Sequence, residues 1–199
     1  MKKYHVLVLF IIALSVIGCA SEVKRVDTEE VIDLSGKWND TDSRLVSEAM
    51  IQDALDRPWL DRYKQGHKGK LPVVIVGSVR NLSHEHINVQ TFVKDLERAL
   101  INSGDVDFVS SKIERDEIRE ERKDQASHSA EETAKSEGEE IGADFMLKGT
   151  INSILDKVEG KAVMFYQVNL ELHNIETHRK VWIGEKKIKK LIKRKRLGL

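Results

Sequence analysis

Cysteine and proline are almost missing from this chain: one Cys and two Pro in 199 residues. A lone thiol excludes an internal disulfide and any cysteine-based metal site, so packing alone has to stabilise the fold. Two prolines exclude a Pro-rich low-complexity tract. Twelve glycines are present, yet neither a Walker A loop nor a GxGxxG sequence occurs. Ser35-Gly36-Lys37 lacks the upstream glycine and strand of a phosphate loop, and Gly77-Ser78 is not the GxSxG nucleophile elbow. Net charge is missing too, with 33 cations balanced by 33 carboxylates. Beyond the amino-terminal segment no apolar run approaches transmembrane length, which excludes an integral membrane protein built on helices.

What is there begins with MKKYHVLVLFIIALSVIGC. Lys2 and Lys3 precede an uncharged stretch from Val6 to Gly18, a basic n-region and an h-region too short for a comfortable mature span. Val16-Ile17-Gly18-Cys19 resembles the bacterial lipobox, and it places the single cysteine at the cleavage point. Residues 1–18 are therefore expected to be a lipoprotein signal peptide. Cys19 is expected to carry a thioether-linked diacylglycerol and an N-acyl (palmitoyl) chain. At about 0.8 kcal/mol per buried methylene, several chains hold a protein far more firmly than one. Loss of Lys2 and Lys3 leaves the mature side chains at −2. Ala20 and Ser21 follow the cysteine, with no aspartate at the position that retains enterobacterial lipoproteins in the inner membrane, so outer-membrane anchoring is expected.

Residues 19–33 read as a short polar tether, ending in a short strand, and 34–199 as one globular domain with a basic tail. Ser35-Gly36 signals a turn, and Asn39, Asp40, Thr41 and Asp42 crowd a helix start, where they cap free N–H groups. Val46, Ala49, Met50 and Ala54 follow on one face. Pro58 breaks the helix, and Trp59, Leu60 and Tyr63 pack a second short turn. Leu71–Val79 is a continuous apolar run and reads as a buried strand. The loop NLSHEHIN leads to a helix striped by Val89, Phe92, Val93, Leu96, Ala99, Leu100 and Ser103, closed by Gly104. Asp107–Val109 is a short strand. Capping boxes at Ser111/Glu114 and Ser129/Glu132 open two highly charged surface helices, roughly 112–126 and 130–141. Three strands close the chain, turning at Glu159-Gly160 and around Thr177-His178. In the middle one Met164, Tyr166, Val168, Leu170 and Leu172 alternate with polar neighbours, which predicts an antiparallel meander with one wet face. The fold class is α/β: a single domain with a small, mainly antiparallel sheet of about four main strands packed with helices.

Candidate chemistry is thin. His84 and His86 would share one face of a strand and suit zinc, but no third ligand is evident, and a polar loop before a helix accounts for them better. Asp40 and Asp42 open like a calcium loop, yet the required sixth and twelfth positions are Leu45 and Ile51. No catalytic residue, metal site or cofactor is assigned. KKIKKLIKRKR, Lys186–Arg196, carries eight cations in eleven residues and suits anionic lipid, an acidic partner or a solvated edge strand with a tail. Export by the lipoprotein route argues against nucleic acid. Segment 112–140 is net −5.

DLSGKWNDTDSRLVSEAMI, PVVIVGSVRN, HINVQTFVKDLERALINSG, ERDEIREER, GADFMLKGTINSI, YQVNLEL and KVWIGEKKIKK together resemble the LpoB family from about Asp33 to Lys190. The resemblance implies a non-catalytic outer-membrane lipoprotein facing the periplasm. Such a protein binds a small regulatory domain of a class A penicillin-binding protein and stimulates peptidoglycan synthesis. The best-known members carry a long proline-rich tether, whereas about fifteen residues separate Cys19 from Leu34 here, at most roughly 50 Å. Rival readings are an envelope hydrolase or transferase, an assembly factor, and a binder of an envelope polymer or lipid. The expected partner surface is the pair of loops bearing Trp38, Asn39, Asp40 and Asp42, and Asn81, His84 and His86.

Overall fold

The structure, a computed structural model, describes residues 22–130, 132–133 and 140–193. The signal segment, Cys19 and the basic residues 194–196 lie outside the described residues, as does most of the helix expected over 130–141; residues 132–133 form a turn. Residues 22–31 form a unit of their own. It contains a turn closed by the Glu30 N–H on Asp27 O at 3.2 Å, and the short strand expected there is absent.

The second unit, from Ile32 onward, is a single α/β domain. Its described elements are α1 (Asp40–Leu55), α2 (Pro58–Gly66), β1 (Val73–Asn81), α3 (Val89–Ser103), β2 (Asp107–Phe108), α4 (Lys112–His128), β3 (Phe145–Val158), β4 (Lys161–Asn174) and β5 (Lys180–Lys193). The sheet order is β2-β1-β3-β4-β5. The three long strands pair antiparallel, as the alternation predicts, while β1 lies parallel to both β2 and β3. The sheet is therefore mixed, because helix α3 and the chain through α4 supply the crossovers that parallel neighbours need.

Local chemistry accounts for the boundaries. Asn39 caps α1 in a reciprocal box with Asp42, Pro58 sits in the first turn of α2, and Ser111 forms a box with Glu114 at the start of α4. Gly104 ends α3 at φ 70°, a left-handed position that a side chain would strain. Helices α1 and α3 cover one face of the sheet. Val46, Met50, Ile51 and Ala54 of α1 and Phe92, Leu96 and Leu100 of α3 meet Leu147, Ile151, Tyr166, Val168 and Leu170 of the strands. Strand β1 departs from the continuous burial expected of it. Val74, Ile75 and Val76 are buried, but after an irregularity in its pairing with β3 the strand alternates, with Ser78 and Arg80 exposed. Helix α4 buries no residue and is held by polar contacts, as its charge pattern implies.

Candidate functional site

The two loops that sequence reasoning selected meet in the fold. The β1–α3 loop is shaped by short polar side chains: Asn81 Nδ2 donates to Glu85 O at 2.7 Å, and Ser83 N–H and hydroxyl both reach Asn81 Oδ1. It is tied to β3 by the Leu82 N–H on Ile151 O and by the His84 N–H on Ser153 Oγ. These contacts aim the Glu85 carboxylate inward. Glu85 Oε2 accepts the Trp38 N–H at 3.2 Å and the Tyr166 hydroxyl at 2.7 Å. Tyr166 is fully buried, and burial, followed by the Glu85 carboxylate, drives its phenol well above the ordinary range. The Trp38 ring stands edge-on to Tyr166 and Phe92, with centroids 5.5 and 6.0 Å away.

A second knot fixes the chain entering α1. Lys190 Nζ reaches Asp33 Oδ1 and Asp42 Oδ2, each at 2.6 Å, and the Lys37 carbonyl at 3.2 Å. Asn39 Nδ2 adds a bond to Asp33 Oδ1 at 2.9 Å. Burial alone would lower the Lys190 ammonium, but its bonds to Asp33 and Asp42 outweigh that and raise it. The Lys190 bond holds Asp33 below the usual carboxylate range. Gly36, at φ 71°, lets this segment lie on Ile192, whose side chain leaves no room for a Cβ there.

Between these two knots and the β3–β4 hairpin opens a cleft of about 740 Å³. His84, Glu85 and His86 form one wall with Ser35 and Lys37; Leu155, Lys157, Val158 and Lys161 form the other, above Met164 and Ile192. The volume lies within the usual range of ligand or peptide sites. Its chemistry is cationic and apolar, and the one acid on the wall, Glu85, is already bonded to Trp38 and Tyr166. Among the described residues, no three His, Cys, Asp or Glu side chains converge to hold a metal ion.

Of the expected partner residues, Trp38, Asn39, Asp42, Asn81 and His84 hold local structure, and His84 and His86 also face the cleft. Asp40 is exposed in the first turn of α1. Sequence reasoning missed Glu85 as the hub and Lys190 as the clamp. Period two does mark Lys190: Trp182, Gly184, Ile188, Lys190 and Ile192 share the inward face of β5. Asp144 was missed as well. Its Oδ2 accepts the Tyr63 hydroxyl at 2.6 Å and the Val73 N–H at 2.8 Å, fixing the start of β1, and burial with this bond pushes Tyr63 up to about 12.

No helix among the described residues is long and apolar enough to cross a membrane. Comparison with solved structures matches the LpoB C-terminal domain from Salmonella enterica at 16% identity and a TM-score of 0.44, over 74% of this chain and 98% of that one. The corresponding domain from Escherichia coli matches at 18% and 0.41, over 71% and 97%. A lipoprotein from Neisseria meningitidis matches at 11% and 0.39, over 60% and 83%. No curated relative matches. The family model described as "Peptidoglycan-synthase activator LpoB" matches residues 42–188, from the first turn of α1 to the middle of β5, and the chain belongs to that family.

Proposed function

We propose that this protein is a non-catalytic lipoprotein of the outer membrane, anchored through Cys19 and facing the periplasm. It binds a class A penicillin-binding protein and biases that synthase towards an active state. The observation that carries the reading is the family match over residues 42–188, which lies wholly within the folded body. An activator works only through unequal affinity for two states of its target, so it needs a surface that is itself rigid. The Trp38–Asp42 and Asn81–Asn88 loops fit that need, because Glu85 ties the first to the second and to the core. We assign the partner contact to these loops and the adjoining cleft, where charged and apolar groups alternate.

The test is glycan polymerisation by the organism's own class A synthase, with and without residues 20–199, alongside direct binding. Stimulation with saturable binding is expected. Failure of both for every such synthase overturns the reading in favour of an assembly factor. Intact-mass analysis of the envelope form tests the anchor separately, and an unmodified Cys19 overturns it.

A further inference from the structure

The β3–β4 hairpin, with β5 paired alongside it, outruns β1. Strand β3 pairs with β1 only as far as Ile151, whereas its pairing with β4 continues to Val158 opposite Lys161. Residues 152–158 thus run on by seven positions, roughly 20 Å at about 3.3 Å each. Beyond Ser153 every residue of β3 and its turn is exposed. An exposed hairpin end is ordinarily polar throughout, but this one also carries exposed apolar side chains. Ile154, Leu155, Val158 and the neighbouring Leu191 of β5 are 63, 41, 71 and 60% exposed. They occupy both faces: Ile154 and Leu191 lie beside Phe165 and Val163 on the face away from the helices, and Leu155 lies beside Met164 on the cleft side.

Cations surround this apolar wedge. Lys157, Lys161, Lys189 and Lys193 are exposed and carry no ion pair among the described residues. They stand against two carboxylates, Asp156 and Glu159, and Lys193 pairs with Lys161 at the very end of the sheet. The sequence continues from that point as Arg194-Lys195-Arg196. A basic collar around apolar side chains is complementary to an anionic phospholipid surface, whose headgroups take the lysines and whose acyl boundary takes the wedge. A folded acidic protein would cover one face of the hairpin, whereas a lipid interface surrounds both.

We propose that the β3–β4 hairpin tip, with the end of β5, docks the domain onto anionic phospholipid. This contact requires neither the lipid anchor nor the synthase, and it shares Leu155, Lys157, Val158 and Lys161 with the wall of the cleft assigned to the partner. It is tested with the chain beginning at Ala20, which lacks Cys19 and retains every core residue. Co-sedimentation with phosphatidylglycerol–phosphatidylcholine vesicles is compared with phosphatidylcholine alone. Binding to the anionic vesicles only, weakened by salt, is expected. Each cation near such a surface is worth about fivefold in partitioning, so Lys157→Ala with Lys161→Ala should lower it about 25-fold. Val158→Asp should lower it as well, and since all three side chains are exposed, thermal melting confirms that the variants fold. Equal binding to both vesicles, binding to neither, or variants that bind like the parent would overturn the proposal. Retention by poly-glutamate without vesicle binding would also overturn it, and would assign the tip to an acidic protein.

Discussion

Replacing Lys190 with methionine keeps most of the side chain's apolar stem and removes only the ammonium. The Lys190 side chain is 11% exposed, and its ammonium lies between the 8%-exposed side chain of Asp42 and the 47%-exposed side chain of Asp33. Removing one partner of a buried pair commonly costs about 3–5 kcal/mol, because the other charge is left uncompensated. Asp42 would still accept the Asn39 N–H at the positive end of α1, which eases its charge. The loss should therefore sit near the lower limit, about 3 kcal/mol. For a body of this size about 2–4 °C accompanies each kcal/mol, so the midpoint should fall by about 6–12 °C. Asp33→Asn, at a half-exposed site, should cost under about 1 kcal/mol. Urea unfolding checks this as a lower midpoint at unchanged slope. The pH dependence carries its own signs. Lys190 is raised on folding, so its contribution is complete below its unfolded value near 10.5 and disappears as pH rises through the higher folded value. Asp33 is lowered, so its contribution is present above its unfolded value near 3.8 and disappears as pH falls through the lower folded one. A plateau between these limits is expected, and Lys190→Met should flatten the alkaline side. A Lys190→Met variant that loses under about 1 kcal/mol would refute the clamp.

Glu85→Ala should cost about 2–3 kcal/mol, since it strands the buried Tyr166 hydroxyl and the Trp38 N–H, and near-ultraviolet circular dichroism should report the loosened aromatic pair. Gly149→Ala should destabilise by about 1–3 kcal/mol in denaturant titration, because its Cβ would meet the Leu170 side chain and lie 2.9 Å from the Asn169 carbonyl oxygen. Helix α4 buries nothing and is joined to α3 by Lys94, which bridges Glu97 and Glu114. The Lys94 bond, with help from Ser111, lowers Glu114 to about 2, so the attachment is complete above about 4.5 and is lost as pH falls towards 2; amide exchange in α4 should rise over that window before exchange in α3 does. His86→Ala removes an exposed side chain, so it should reduce synthase stimulation while leaving the melting midpoint within about 1 °C, as surface substitutions do.

The elements themselves were legible in the sequence because each carries a local signal. Asn39 and Asp42, Pro58, Ser111 and Glu114, and Gly104 mark helix ends through backbone groups only a few residues away. The alternation from Met164 to Leu172 marks a half-buried strand because successive side chains point to opposite faces. The family, too, was legible, since its blocks occur in order along the chain. Pairing across the sheet was not legible in the same way. The parallel place of β1 between β2 and β3 depends on where α3 and the chain through α4 deliver the next strand, and no residue of LPVVIVGSV records that. The roles of Glu85 and Lys190 likewise needed the tertiary structure. A glutamate between two histidines and a lysine in a basic run look like solvated charges. They acquire partners 47 and 81 residues away for Glu85, and 148 and 157 away for Lys190, only when the sheet is assembled. The apolar hairpin tip is the same case. Ile154, Leu155 and Val158 have the composition of a buried strand, and only the assembled sheet, in which their pairing continues past the end of β1, shows them left exposed. Burial follows from the neighbours a residue receives, and those neighbours are set by contacts distant in the chain.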